Sequence, residues 1–326
     1  MHLFKVAGTS LLALLLSSIC VGQGPNAAQL LSAASAQADL WVPGNSYRLE
    51  ADFVTQLQKP ETGHLTLKWS AKDTWRQEIT LGTYQQISVR QGEKNSTARN
   101  LNFTPLPIRE IQQLFSSRPL PSDKWQFKKV KHLPHGAKDC LELRSVEFTP
   151  VTWDREVCLD SATLDVESDE ISGPSYSREK EFSDYEPFLG KPYPRKLKLI
   201  LNGQPVLTMV ITLLEEQTFT PADFTPPPNA IVRRTCDNMV YAKAIKAPDP
   251  LYPQIESQRH VTGTSIVSLT VLPDGSVEDV HLIGSANHDM DSVTQQIVKT
   301  WKFKPAMCGN EAVASDIQVE VDFRTR

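Results

Sequence analysis

The 326-residue chain lacks most of the motifs by which enzymes and nucleic-acid-binding proteins are identified. It has 15 glycines, and none of them stands in a Gly-x-Gly-x-x-Gly, Gly-Lys-Ser/Thr or Gly-x-Ser-x-Gly motif. Its 34 basic residues are outnumbered by 38 acidic ones, and a net charge of -4 does not favour binding to a phosphate backbone. The sequence therefore predicts a protein that is not an enzyme, needs no cofactor and binds no nucleic acid.

Metal-ligand clusters are scarce as well. No Cys-x-x-Cys pair occurs, and the one close histidine pair is His132 and His135, in a lysine-rich stretch interrupted by proline and glycine. Solvated histidines are the better interpretation of such a pair. We expect no metal site.

A long apolar run occurs at the N-terminus, where residues 6–22 follow Lys5 and contain a leucine-rich centre. Small residues at Cys20 and Gly22 favour cleavage after Gly22. Residues 1–22 are therefore predicted to be a signal peptide, which places the protein in the periplasm. Because the run is only slightly shorter than the ~20 residues that span a bilayer, an uncleaved inner-membrane anchor is the alternative.

Of the five cysteines, four follow the predicted signal: Cys140, Cys158, Cys236 and Cys308. An oxidising compartment allows these thiols to pair, in any of three ways. Proximity along the chain favours a hairpin disulfide between Cys140 and Cys158, which leaves Cys236 for Cys308. Free buried thiols are the alternative.

Residues 23–230 are predicted to form a β-rich domain. An amphipathic helix over 26–41 is followed by strict alternation of apolar and polar residues from Tyr47 to Thr55, and by about ten strands in all, with one helix over 107–115. Three consecutive prolines, at 226–228, cannot continue a ladder because they have no amide donor. We expect the domain boundary here, so that residues 231–326 form a second domain.

The second domain is predicted to have the order helix, strand, strand, helix, strand. A short helix begins at Tyr252-Pro253, strands over 263–272 and 277–283 flank the turn Pro273-Asp274-Gly275, a helical stripe runs over 290–301, and the last strand covers 317–323. The fold class of the whole chain is therefore α+β.

These residues resemble the C-terminal domain of TonB, the periplasmic energy transducer of Gram-negative bacteria. The resemblance covers about residues 245–326 and rests on Leu251-Tyr252-Pro253, Pro273-Asp274-Gly275, Trp301-x-Phe303-x-Pro305 and the final alternating strand. It implies an edge strand that pairs with an extended segment of an outer-membrane receptor or other envelope protein. The partner-binding residues that it implies are Leu251, Tyr252, Pro253, Asp316, Ile317, Gln318, Val319, Glu320, Val321, Asp322 and Phe323.

The chain departs from an energy transducer in two respects. It has no confident membrane anchor and no long Pro-Lys/Pro-Glu spacer, so docking at an outer-membrane partner is favoured over force transduction. The predicted function is that of a non-catalytic envelope protein linked to outer-membrane transport.

The first domain resembles the LolA/LolB lipoprotein-carrier superfamily in its pattern of an N-terminal helix, long antiparallel strands and a late apolar strand pair. The resemblance implies an incompletely closed β-barrel with lid helices, and as an alternative function the carriage of a lipid or lipoprotein acyl chain. An ordinary filled core is the other interpretation of the inward residues. The candidates for lining a lipid cavity are Leu49, Ala51, Phe53, Leu65, Leu67, Trp69, Ile79 and Leu81, with Leu30 and Leu31 on the lid.

Overall fold

The computed structural model describes residues 26–37, 45–114, 124–133, 137–146, 152–174 and 176–324. The predicted signal peptide, Cys20, His135, Trp41 and Phe115 lie outside these ranges. The helices are α1 (Ala27–Gln37), α2 (Leu106–Leu114), α3 (Gln254–Gln258) and α4 (His288–Val298). The strands of the first half are β1 (Tyr47–Thr55), β2 (Glu61–Ala71), β3 (Thr74–Leu81), β4 (Tyr84–Gln91), β5 (Lys94–Arg99), β6 (Trp125–Leu133), β7 (Lys138–Ser145), β8 (Asp154–Asp160), β9 (Val166–Gly173), β10 (Tyr176–Phe188), β11 (Lys191–Leu201) and β12 (Gln204–Glu216). The remaining strands are β13 (Ile231–Arg234), β14 (Lys243–Lys246), β15 (Gly263–Val271), β16 (Val277–Gly284), β17 (Lys302–Lys304), β18 (Ala306–Cys308), β19 (Glu311–Val313) and β20 (Ser315–Phe323).

One large antiparallel sheet contains the first thirteen strands. Their order is β13-β5-β4-β3-β2-β1-β12-β11-β10-β9-β8-β7-β6, so neighbours along the chain pair as hairpins except where β1 meets β12 and β13 meets β5. In the described ranges β13 and β6 are the two ends of the sheet and do not pair with each other. The sheet is therefore open, which confirms the predicted antiparallel open architecture.

The main core lies on one face of this sheet. Alternate residues of β1 are buried, as the period of two in its sequence predicts. Helix α2 packs against this face, with Ile108, Ile111 and Leu114 in the same apolar cluster as Leu49 and Leu67. Burial of α2 against the strands thus fills the hollow of the curved sheet.

A second apolar cluster lies under α1, away from the first. Leu30 and Ala34 of α1 pack against β7, β8 and β9, where Leu141, Val157 and Leu159 are buried. The two helices therefore cover different parts of the sheet.

The prediction of about ten strands before the proline-rich segment is too low, because β1 to β12 make twelve. Strand β5 was missed since its sequence, Lys-Asn-Ser-Thr-Ala-Arg, has no apolar alternation. Its identity as a strand comes from pairing with β4 and β13.

The C-terminal part contains a three-stranded sheet in the order β16-β15-β20, with α4 packed on its apolar face. This arrangement confirms the predicted αββαβ order. Two small ribbons, β14-β17 and β18-β19, were not predicted. Helix α4 ends at Val298, so Trp301 lies beyond it rather than in the predicted helical stripe, and Phe303 lies in β17.

Gly275 has two reasons to be glycine. Its φ is +80°, and a Cβ at this position would lie 2.0 Å from the carbonyl oxygen of Phe303. The turn after β15 thus packs directly against β17, and the Phe303 amide donates a hydrogen bond to the Gly275 carbonyl at 3.0 Å. A side chain here would separate the hairpin from β17.

Both favoured disulfides are present. Cys140 and Cys158 are directly opposite each other on β7 and β8, with Cα atoms 4.0 Å apart, and Cys236 is joined to Cys308 with Cα atoms 5.8 Å apart. The second bond ties the segment after β13 to β18.

The two disulfides are expected to stabilise the fold unequally. The Cys236–Cys308 bond spans 72 residues and the Cys140–Cys158 bond spans 18, so the chain-entropy model gives losses of about 4 and about 3 kcal/mol on removal. Urea unfolding of the C236S/C308S and C140S/C158S variants measures the two free energies of unfolding. A larger loss for C140S/C158S would contradict the loop-entropy explanation.

A buried ion pair fastens α2 to β10. Arg178 donates to the Glu110 carboxylate, and their side chains are 8% and 6% exposed. Next to them, the Lys180 ammonium donates to the Gln113 carbonyl at 2.8 Å, near the C-terminal end of α2.

We expect Glu110→Ala to lower the free energy of unfolding by about 3–5 kcal/mol, because it leaves the Arg178 charge buried without its partner. The double variant E110A/R178M is expected to lose less than E110A alone. Denaturant unfolding of both variants and R178M completes the double-mutant cycle. Additive losses would show that the two charges do not interact.

Candidate functional site

Strand β20 is the candidate docking edge. It pairs with β15 in an unbroken register from Val271 opposite Ser315 to Gly263 opposite Phe323. Within the described ranges no strand pairs with its other edge. An edge of this kind presents backbone N–H and C=O groups to an extended peptide.

The two faces of β20 differ in chemistry. Val321 and Phe323 are buried against the α4 side of the sheet, and Ile317 and Val319 pack partly buried against the same cluster. The opposite face carries four polar residues, which are Asp316, Gln318, Glu320 and Asp322. The strand is thus anchored by one face and acidic on the other.

The polar face of the three-stranded sheet lies against the first half of the chain. Arg109 of α2 donates to the Ser268 hydroxyl, and Arg233 lies 3.3 Å from the Asp316 carboxylate. The rings of Phe103 and His281 stack with centroids 5.1 Å apart. Helix α2 is therefore held between the large sheet and the small one.

Electrostatics connect β20 to the buried ion pair of α2. Burial raises the pKa of Glu320, and the nearby Glu110 and Asp322 carboxylates raise it further, while a hydrogen bond from Gln318 and the charge of Arg178 oppose them. Burial likewise lowers the pKa of Arg109, and the Asp316 carboxylate opposes that change. Carboxylates and guanidinium groups therefore interact where β20 meets α2.

The structure places Tyr252 beside the end of β20. Its ring meets the Phe323 ring edge-on with centroids 5.4 Å apart, and its hydroxyl donates to the Val261 carbonyl. Pro253 precedes the first residue of α3, and Leu251 is 87% exposed. Of these three predicted binding residues, Tyr252 is part of the packing and Leu251 projects into solvent.

Sequence reasoning missed the residue that organises the start of α4. Asp291 is buried and accepts hydrogen bonds from the Ser265 hydroxyl at 2.6 Å, from the Ala286 amide at 3.0 Å and from the Ser285 hydroxyl. The signal available in the sequence was an acidic residue in the first turn of a helix, where it complements the helix dipole. Asp291 thereby fixes α4 against β15.

The predicted lipid-cavity residues fall into two groups. Leu30 and Leu31 belong to α1 and pack in the second apolar cluster, where Leu30 is buried and Leu31 is half-buried. The other eight residues lie together on the α2 side of the large sheet. They are Leu49, Ala51, Phe53, Leu65, Leu67, Trp69, Ile79 and Leu81. Since α2 packs on this group, an acyl chain would have to displace the helix.

An open depression of about 640 Å³ lies elsewhere on the same sheet. Its lining includes Asp52, Val54, His64 and Val210, which alternate with the buried residues of their strands and therefore point outward. The depression is thus separate from the predicted cavity, although Phe53 contributes to its wall.

Possible metal ligands come together at one place among the described residues. Cys140, Glu156 and Cys158 bring possible ligand atoms within 4.8 Å of one another. The two sulfur atoms are joined in a disulfide, so they are not thiolate ligands. His132 lies 2.5 Å from the Asp139 carboxylate on the neighbouring strand, which accounts for it without a metal.

None of the described helices is both long enough and apolar enough to span a membrane.

Comparison with known proteins identifies the C-terminal segment. The family model for the Gram-negative bacterial TonB protein C-terminal matches residues 248–325. The protein tonB2 of Pseudomonas aeruginosa is 31% identical over 78 residues, which are 24% of this chain and 29% of that protein. The protein TonB of the same organism is 29% identical over 73 residues, 22% of this chain and 21% of the relative. The chain thus spans less than a third of the length of either curated relative.

Solved structures resemble the larger, N-terminal part of the chain. A LolA superfamily protein from Nitrosomonas europaea is 10% identical, with a TM-score of 0.41, over 60% of this chain and 96% of its own. A putative outer membrane lipoprotein-sorting protein domain from Vibrio parahaemolyticus is 14% identical, with a TM-score of 0.37, over 61% and 97%. The family match lies at the other end, where residues 248–325 match the TonB C-terminal family model, and the open antiparallel sheet precedes them.

Proposed function

We propose that the chain is an exported, non-catalytic envelope protein that docks an outer-membrane partner through the free edge of β20. The observation that supports this function most directly is the unpaired edge of a nine-residue strand in a domain of the TonB C-terminal family. An added strand from the partner gains main-chain hydrogen bonds along β20, and these hydrogen bonds supply affinity.

The side chains of β20 define the partner's chemistry. Asp322 is exposed on the polar face of the strand, and Glu320, two residues earlier on the same face, lies close to the Glu110–Arg178 pair. Residues directly opposite each other in an antiparallel pair interact when their charges are opposite. The proposed partner segment is therefore extended and carries a lysine or arginine opposite Asp322, where it would share that carboxylate with Arg324, which lies 2.7 Å away.

Docking is tested by paired proline substitutions at adjacent residues. Successive amides along a strand point to opposite edges, so of Gln318→Pro and Val319→Pro one removes a donor to β15 and the other removes a donor at the free edge. We expect both to lower binding to outer-membrane vesicles from the native envelope at least about tenfold. Only the variant that breaks the β15 ladder is expected to lower the melting temperature of the C-terminal domain markedly.

A photo-crosslinking side chain at Asp322 locates the contact, and the matched control is the same side chain at Glu278 on β16, the opposite edge of the sheet. Crosslinks to one outer-membrane protein from position 322 and none from 278 are the expected result. Crosslinking from 278 alone, or unchanged binding of both proline variants, would contradict docking at β20.

Carriage of an acyl chain by the large sheet is the second candidate function. It is favoured by the buried apolar face on which α2 packs without being paired as a strand. Side chains hold α2 in place: the Glu110–Arg178 ion pair, the hydrogen bond from Lys180, a hydrogen bond from Gln112 to Gln77 at 3.3 Å and the contact of Arg109 with Ser268. An acyl chain would occupy the space of Ile108, Ile111 and Leu114 when α2 swings away.

Native mass spectrometry tests carriage directly. If the protein is a carrier, protein purified from its envelope shows an added lipid mass that is lost on denaturation. The I111A/L114A variant, whose helix packs less well, is expected to retain more lipid. A bare mass for both proteins would contradict the carrier function and leave the sheet as a filled scaffold.

A further inference from the structure

The ribbon of β14 and β17 carries an unusual concentration of unpaired positive charge. Lys243 is directly opposite Lys304, and Lys246 is opposite Lys302. All four lysines are exposed, and within the described ranges none of them has a salt-bridge partner. Like charges directly opposite each other on antiparallel strands are destabilising, so the fold gains nothing from this pairing.

The four lysines share one face of the ribbon. Lys302 and Lys304 alternate with Phe303, which is buried on the other face. Their cross-strand partners lie on the same side as they do, with a bulge between Ala244 and Lys246. The ribbon is thereby anchored through Phe303 and presents its charge outward.

Large apolar side chains accompany the lysines. Ile245, at the bulge, is 71% exposed, and Tyr241, two residues before Lys243, is 78% exposed. Leu251 is 87% exposed, and its loop is held near β17 because the Trp301 indole donates to the Pro248 carbonyl at 3.1 Å. Exposed aliphatic and aromatic groups beside lysines form the usual composition of a surface that lies in a membrane interface.

Two acids, Asp274 and Asp249, lie near this surface and are outnumbered by its four lysines. Asp274 is near enough to Lys302 for that charge to lower its pKa, but the hydrogen bonds from Ser276 contribute more to the shift. Asp249 is the acid between β14 and Leu251.

Protection of a strand edge does not account for this arrangement. A single lysine is enough to discourage another chain from pairing with a strand edge. Lysines opposite lysines and an exposed isoleucine between them are not needed for that protection. A soluble acidic peptide would satisfy the charges but would leave Ile245, Tyr241 and Leu251 in water.

We propose that the β14-β17 ribbon binds the surface of an anionic phospholipid bilayer. The lysines meet the phosphate headgroups, and Ile245, Tyr241 and Leu251 enter the boundary between headgroups and acyl chains. The ribbon strands are distinct from β20 and from the α2 face of the large sheet, and of the apolar residues only Leu251 adjoins the docking edge, through Tyr252 against Phe323. The proposal therefore does not depend on either proposed function.

Vesicle co-sedimentation of the full chain tests the proposal. Vesicles of 30% phosphatidylglycerol in phosphatidylcholine are compared with pure phosphatidylcholine, at about 0.1 M and about 0.5 M salt. We expect binding to the anionic vesicles that falls at high salt, because screening weakens the attraction. The quadruple variant K243Q/K246Q/K302Q/K304Q is expected to bind at least about 100-fold more weakly.

A control variant removes four exposed lysines from the other half of the chain, K59Q/K94Q/K128Q/K191Q, and so matches the change in net charge. It is expected to bind anionic vesicles within about threefold of the unmodified chain. Ile245→Ser is expected to weaken binding about tenfold at either salt concentration, because the apolar contribution is not screened.

The quadruple ribbon variant is expected to fold with an unchanged or higher melting temperature, since it removes two like-charge pairs. Equal loss of binding in the ribbon and control variants would overturn the proposal, since net charge alone would then explain it. Binding of polyglutamate without binding of anionic vesicles would also overturn it and would identify an acidic polypeptide as the partner.

Discussion

The pairing of β1 with β12 is the contact on which the rest of the structure depends. It joins residues more than 150 positions apart, from Tyr47 opposite Glu216 to Thr55 opposite Leu207. Hairpins account for most other neighbours in the large sheet, and hairpins alone would leave two separate meanders. Because β1 pairs with both β2 and β12, it joins the two meanders into one sheet. The joined sheet has one apolar face, and α2 packs on it.

Helix α2 contacts both the large sheet and the C-terminal domain. Its apolar side chains fill the face of the large sheet, Glu110 is paired with Arg178 on β10, and Arg109 reaches Ser268 on β15. Movement of α2 away from the sheet would break contacts with both parts of the chain. In the proposed carrier function, exchange of an acyl chain at the large sheet would move α2 and so be coupled to the domain that carries β20.

The charges of the C-terminal domain are segregated, although the whole chain is close to neutral. Acidic side chains follow β20 and lie near the α2 ion pair, whereas lysines face one another across β14 and β17. Such separation has an energetic cost at the ribbon, where lysines lie directly opposite lysines. The two proposed contacts, a basic peptide at β20 and an anionic surface at the ribbon, would therefore use different parts of one small domain.

The amino-acid sequence by itself determined the local periodicities. The alternation in β1, the stripe of α4, the turn at Gly275 and the cysteine pairing between β7 and β8 were all predictable, because each depends on residues close together along the chain. Three features were not predictable in this way: strand β5, the division of the cavity candidates between two clusters, and the ion pair between Arg178 and Glu110 of α2. They depend on pairings between segments that are far apart in the sequence. The polar strand β5 forms because neighbouring strands hydrogen-bond to its backbone, and the Arg178 charge is buried because Glu110 of another element pairs with it. Only the tertiary structure decided that Lys243 and Lys246 would meet Lys304 and Lys302, since no local pattern records which strands become neighbours.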